Sequence, residues 1–231
     1  VADTLYADVS EWQAAVDDSY PYQVLCIRSN DGTHRDRHWA NNYEWCLRNA
    51  DNGRLTFFIV YFVWRPNWRQ AVETFAAQVG SPHPRMAVML DVESWDGQIH
   101  GDQSAGLNAA YHSVGDVVGS VDRVIGYGNP CDLDALWPDK PPGLRVVVAA
   151  YGHDPPYTGK VAHQYTDGSG YGGGLPEGGP PFGACDMNSA DGLTSTAFAR
   201  ACGIDATDFV EATREAPRYR RPTRHRTHRS V

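Results

Sequence analysis

Short apolar runs alternate with polar, glycine- or proline-marked connections along this chain, and most runs have the length of strands. Strands are predicted near 4–9, 23–28, 56–62, 86–92, 123–127, 145–150, 160–165 and 184–188, and helices over 38–50, 68–79, 103–119 and 194–202. In the segment 68–79, Ala71, Val72, Phe75, Ala76 and Val79 fall on one helical face, and Gly80-Ser81-Pro82 stops the run. Eight strands with helices concentrated early predict an α/β fold, an irregular TIM-like (β/α) barrel with helices missing in its second half. The stretch 167–183 is nearly half glycine and is expected to hold no regular element, serving either as a rim loop beside a site or as slack.

The length of 231 residues and 42% apolar content suit one domain with one large core, placed at 1–213. Residues 214–231 carry seven Arg against one Glu, a net +6 within a whole-chain charge of −8, so the body carries −14. This basic tail lacks apolar periodicity and is expected to be flexible. Its expected partners are anionic wall polymers or a partner protein, and the acidic body disfavours nucleic acid. No run approaches the roughly 20 apolar residues of a membrane span. Val1-Ala2-Asp3-Thr4 lacks the basic-then-apolar form of an export signal, so synthesis in a cytoplasm without a signal peptide is expected. The scattered Cys26, Cys46, Cys131, Cys185 and Cys202 have no zinc spacing and read as buried free thiols. Nine histidines form no HExxH, so neither metal nor cofactor is expected.

In the segment MAVMLDVESW an apolar strand ends in Asp91-Val92-Glu93. Residues i and i+2 of a strand share a face, so both carboxylates enter one space, where mutual repulsion and partial burial hold one of them protonated. An acid beside an anionic stabiliser is what glycosidic cleavage requires. DxE alone is common by chance, but the other strand ends are polar or aromatic too: Asp8, Arg28, Tyr61, Tyr127, Tyr151, Gln164 and Asp186. Barrel enzymes gather their catalytic groups at such ends, whereas a barrel that only packs would leave each polar group there at a cost.

These residues resemble a known family. Asp8-Val9-Ser10-Glu11-Trp12-Gln13 matches DxSxxQ, Asp91 and Glu93 match DxE on the fourth strand, and Gln164-Tyr165-Thr166 and Asp186-Met187-Asn188 match QYT and DxN. Over about 6–188 the chain is similar to glycoside hydrolase family 25, the muramidases of phage lysins, bacterial autolysins and fungi. The resemblance implies that Glu93 is the general acid, Asp91 its carboxylate neighbour, and Asp8 and Asp186 the floor of the groove. It further implies cleavage of the β-1,4 bond from N-acetylmuramic acid to N-acetylglucosamine in bacterial peptidoglycan, with retention. Arg28-Ser29-Asn30-Asp31-Gly32, Val147 and His163 depart from the family's usual residues.

Arg28, Tyr61, Trp64, Trp95, Tyr127, Tyr151, Gln164 and Asn188 are expected to bind substrate, the aromatics by stacking on sugar faces. Trp12 is expected to fill core. The expected setting is a bacteriophage, as a lysin released onto the wall or a virion component contacting tail proteins. The competing class is an inactive carbohydrate-binding or structural tail module on the same barrel. A chitinase-like enzyme ranks lower, because no DxxDxDxE run is present.

Overall fold

The computed structural model describes residues 3–205; the basic tail at 214–231 lies outside the described residues. The elements run β1 Leu5–Val9, β2 Val24–Asp31, β3 His34–Arg35, α1 Trp39–Asp51, β4 Phe57–Val63, α2 Trp68–Val79, β5 Met86–Asp91 and α3 Ser104–Val118. They continue with β6 Val124–Gly128, α4 Pro130–Leu136, β7 Val146–Ala149, β8 Lys160–Thr166, β9 Gly178–Gly179, β10 Gly183–Ala184, β11 Asp186–Ser189 and α5 Ser195–Ala201.

Eight strands close a barrel in the order β1-β2-β4-β5-β6-β7-β8-β11, with β3 added as a hairpin on β2. Neighbours from β1 through β8 pair parallel, while β11 runs antiparallel to both β8 and β1. All eight expected strands are present. Helices α1, α2 and α3 follow β2, β4 and β5, and no helix connects β7 to β8 or β8 to β11. The later connections nevertheless hold one short helix that the apolar pattern did not predict, α4. Asn129 caps it by accepting from the Asp132 amide, and Pro130 begins it.

The pleat of the strands sorts their side chains into two cores. Val88, Leu90, Val60, Phe62, Val146 and Val148 face outward beneath the helices, where α2 contributes Ala71, Val72 and Phe75 and α3 contributes Leu107, Ala110 and Val114. Tyr6, Cys26, Ile59, Met89, Ile125 and Ala162 face into the barrel. Strands covered on both sides read as near-continuous apolar runs, which is why MAVML and FFIVYFV lack a polar alternation. Helix α5 closes the N-terminal end of the lumen, with Phe198 against Tyr6 and Phe57 at ring separations of 5.4 and 5.2 Å. No described helix is long and apolar enough to cross a membrane.

The glycine-rich stretch is the clearest departure from expectation. It contains a two-stranded ribbon, β9 paired with β10, in which Gly183 faces Gly179 and Ala184 faces Gly178. Cys26, Cys46, Cys185 and Cys202 are buried and free as expected, whereas the free Cys131 is exposed on the first turn of α4.

Candidate active site

Asp91 and Glu93 continue the inward face set by Ala87 and Met89, so the strand period carries both carboxylates to the rim at the end of the parallel strands. Asp8 arrives two residues after Tyr6 on β1, in register with Asp186. Asp186 comes to this rim at the start of its strand and not, as expected, at the end, because β11 is antiparallel. Gly128, at the end of β6, is required by the close approach: a Cβ there would lie 2.6 Å from the carbonyl oxygen of Val92. The chain bearing Glu93 can therefore press against β6, anchored by the Val92 amide donating to the Tyr127 carbonyl at 2.9 Å.

The four acids act on one another. Burial, then the charges of Glu93, Asp8 and Asp31, push Asp91 well above the usual carboxylate range, and Arg28 opposes them. Among the described residues Asp91 Oδ1 is buried without a hydrogen-bond partner, which adds to the cost of ionising it. Burial, with Asp132 and Asp8 nearby, lifts Glu93 to about 7, and Arg65 opposes that rise. Asp186 is raised to about 8 by burial and by Asp8, with which it shares a hydrogen bond. Burial also raises Asp8, although Asn188 and Gln164 hold its charged form by donating to Oδ2 at 2.6 and 2.9 Å. With Glu93 lifted to about 7 and Asp186 to about 8, two sites of the cluster favour the proton where the sequence led to the expectation of one.

The eight expected substrate contacts divide by geometry. Tyr61, Trp95 and Tyr151 are half-buried at the rim. Tyr127 is buried, and its hydroxyl and that of Tyr151 both donate to Gln164 Oε1, at 2.7 and 2.9 Å. Gln164 and Asn188 are buried and spend their amides on Asp8, so they position that carboxylate. Arg28 is buried and committed through Nε to Asp36 at 3.0 Å and through a terminal nitrogen to Glu11 at 3.1 Å; it serves as a counter-charge holding the rim. Trp64 is corrected: only 2% exposed, it packs in the outer core against Gly106 of α3, with no ring face open to a sugar. Trp95 offers at most one face, since the Arg65 guanidinium covers its ring at 4.5 Å while pairing with Asp31 at 2.6 Å.

Trp12 is corrected in the opposite sense. Glu11 is pinned by Arg28 and His34, and the next residue turns outward, leaving Trp12 77% exposed. Sequence reasoning missed Asp132, Asp31 and Arg65, all of which act on Glu93. Asp132 had a readable signal, because Asn-Pro-x-Asp is a helix start with an acid in its first turn, and here it also accepts from the Ser94 amide at 3.0 Å. Asp154, His163 and Asp191 offer ligand atoms within 4.8 Å of one another, a grouping that spacing alone did not reveal. The Lys160 ammonium bridges both of those carboxylates, and His163 Nε2 lies 2.6 Å from the Ala150 carbonyl oxygen, so these side chains already satisfy one another. The departure at His163 thus lies outside the acid cluster, and Val147 lies in the lumen core below it.

The chain is 53% identical over 210 residues to the uncharacterized protein Rv3766 of Mycobacterium tuberculosis, covering 90% of this chain and 76% of that protein. Among solved structures, a family 25 glycosyl hydrolase from Bacillus anthracis superposes with a TM-score of 0.67 at 15% identity, over 85% of this chain and 92% of that one. The CTP1L endolysin superposes with a TM-score of 0.66 at 17% identity, over 87% and 70%. At these identities the likeness to the solved structures is one of fold. No family model matches the chain.

Proposed function

This chain belongs to the family of the Mycobacterium tuberculosis protein Rv3766, and we propose for it the hydrolysis of peptidoglycan at the β-1,4 bond between N-acetylmuramic acid and N-acetylglucosamine, with retention. The observation that carries the reading is the convergence of Asp8, Asp91, Glu93 and Asp186, with Glu93 held near 7. A carboxyl that is half protonated near neutral pH can both donate and recover a proton within one turnover. The barrel shared with a family 25 glycosyl hydrolase and an endolysin supports the same reading.

In the proposed reaction Glu93 gives its proton to the glycosidic oxygen as the bond from C1 breaks. The carbonyl oxygen of the sugar's own 2-acylamino group closes onto C1 and forms an oxazolinium. Water then attacks C1, reopens the ring and returns a proton to Glu93, which restores the acylamino group and the original configuration. Substrate assistance is favoured over a covalent enzyme intermediate because Asp91, at the end of β5, and Glu93, two residues beyond it, continue one face, whereas a displacing nucleophile should approach opposite the leaving group. Asp91 then acts as counter-ion. Positive charge developing on the sugar favours the ionised form of this carboxyl, which burial and the neighbouring acids disfavour.

A wall-remodelling role in a bacterial cell is favoured over a phage lysin or virion component by the relative in Mycobacterium tuberculosis. Digestion of purified peptidoglycan, with the new ends read by mass spectrometry, tests the reading. Reducing muramic acid ends are expected, and Glu93→Gln should lower turnover by about 100- to 10,000-fold while leaving the fold intact. Unchanged lysis by that variant, or new peptide amines in place of sugar ends, would overturn the assignment.

A further inference from the structure

The connection from β8 to β11 is built from glycine yet organised by one carboxylate. Glu177 Oε2 accepts from the Thr166 hydroxyl and from the Gly170 amide at 3.1 Å, Oε1 accepts from the Gly172 amide, and the Tyr171 amide also points at this side chain. The glycines are required by that packing: a Cβ on Gly172 would lie 2.6 Å from Glu177 Oε1 and 2.7 Å from the Leu175 carbonyl oxygen. The Tyr165 hydroxyl donates to the Pro176 carbonyl at 2.7 Å, and the β9–β10 ribbon closes the far side. Such a loop is neither slack nor a spacer.

What it holds out is an aromatic ring. Tyr171 is 49% exposed and stacks on Tyr151, with ring centroids 5.5 Å apart and planes at 26°. Tyr151 in turn donates to Gln164, which donates to Asp8, so the exposed ring is two side chains removed from a residue that holds the acid cluster. A tyrosine with one face on a neighbour and the other in water gains little on folding relative to its area, and its remaining face suits a ligand with a flat apolar side. Asp167, Glu177 and Asp186 lie around the ring pair and outweigh the basic group beside it, His153, whose Nδ1 is 3.1 Å from the Tyr151 carbonyl oxygen; the acidic surroundings disfavour an anionic ligand and suit a neutral sugar.

We propose that Tyr171, seated on Tyr151 by the Glu177-centred loop, is an additional sugar platform that takes the C–H face of one further N-acetylhexosamine beyond the acid cluster. Glu177 is a positioning residue that touches no sugar. The proposal rests on the glycan-cleaving reading for its substrate class, and binding is therefore measured separately from cleavage. Isothermal titration of the full chain with the N-acetylglucosamine tetrasaccharide is compared with kinetics on solubilised peptidoglycan. Tyr171→Ala should weaken tetrasaccharide binding and raise KM by about five- to tenfold with kcat changed less than about twofold, and Tyr171→Phe should restore both. Glu177→Ala should reproduce the Tyr171→Ala pattern, while the unchanged thermal transition of Tyr171→Ala shows that the barrel is intact. Equal affinity and KM in Tyr171→Ala, or no tetrasaccharide binding by the unaltered chain, overturns the platform. Tyr171-dependent binding without cleavage of peptidoglycan would instead remove the muramidase reading and leave the platform standing.

Discussion

The two ends of the barrel lumen are lined by the same strands and behave as opposites. At the N-terminal end Tyr6 and Phe57 close on Phe198 of α5, and with Cys26, Ile59, Met89 and Ile125 they form an apolar plug. One strand period further along, the same inward face presents Asp8 after Tyr6, Arg28 after Cys26, Tyr61 after Ile59, Asp91 after Met89 and Tyr127 after Ile125. Both layers follow the same strand pleat. The difference is that one layer gains free energy by leaving water, while the other holds carboxylates whose burial costs free energy unless they bind a proton or a partner. Stability and chemistry are thus stacked along one axis, a step of two residues apart.

Truncating the apolar plug should cost the most stability. Phe198 is fully buried, and Phe198→Ala removes a ring seated between Tyr6 and Phe57 at a site where the closed strands cannot collapse inward. A loss of about 3–5 kcal/mol in unfolding free energy is expected by denaturant titration, with turnover per folded molecule unchanged. An equal loss of turnover in the folded fraction would mean that the plug also sets the geometry of the acids, and the separation of the two ends would fail.

Much of this arrangement was legible in the chain, and the exceptions have physical causes. The eight strands were visible because each is a compact apolar run between breakers, and the acids were visible because Asp91 and Glu93 follow such a run at strand spacing. Asp186 was found at the correct rim, but the direction of its strand was not, because four residues of DMNS carry no mark of parallel or antiparallel pairing. Trp64, expected at the substrate, lies in the core, and Trp12, expected in the core, is exposed. A tryptophan one residue past a strand and one inside the DxSxxQ run look alike in sequence, and only the packing of Gly106 under one and the Glu11 ion pairs beside the other separate them. The ordered glycine loop was opaque for a related reason: glycine content reports freedom in the unfolded chain, whereas here a single acceptor, Glu177, uses that freedom to gather several amides. Arg65 and Asp132 were missed because they reach Glu93 from loops and a short helix, where no period points.

At the polar end a more modest, pH-dependent change is expected. Asp186 has its pKa raised from the ordinary aspartate value to about 8, so its proton stabilises the fold fully below pH 3.8 and that stabilisation is lost as pH rises through about 8. Asp186→Asn keeps the volume and supplies a permanent donor toward Asp8. The variant should be more stable than the parent by about 1–3 kcal/mol at pH 9, the gap closing toward pH 4, although its catalytic rate falls. Thermal unfolding across that range measures it, and a gap independent of pH would mean that Asp186 is not a buried proton carrier.

The smallest expected effect tests whether the acids communicate through space. Asp132 is the foremost charge raising Glu93, and it stands outside the lumen at the first turn of α4, where it receives the Ser94 amide at 3.0 Å and the Asn129 side-chain amide at 3.0 Å. Asp132→Asn retains an oxygen for the Ser94 amide while removing the charge, so the loop bearing Glu93 should keep its course. With that repulsion gone, the Glu93 proton is lost at lower pH, and since the proposed reaction needs the protonated form, the alkaline fall in kcat should begin below the parent's value near 7. Removing Arg65, which opposes the rise, should move the same limb upward. If both substitutions displaced the limb in one direction, loop disorder and not charge would be the cause, and the electrostatic account of Glu93 would have to be given up.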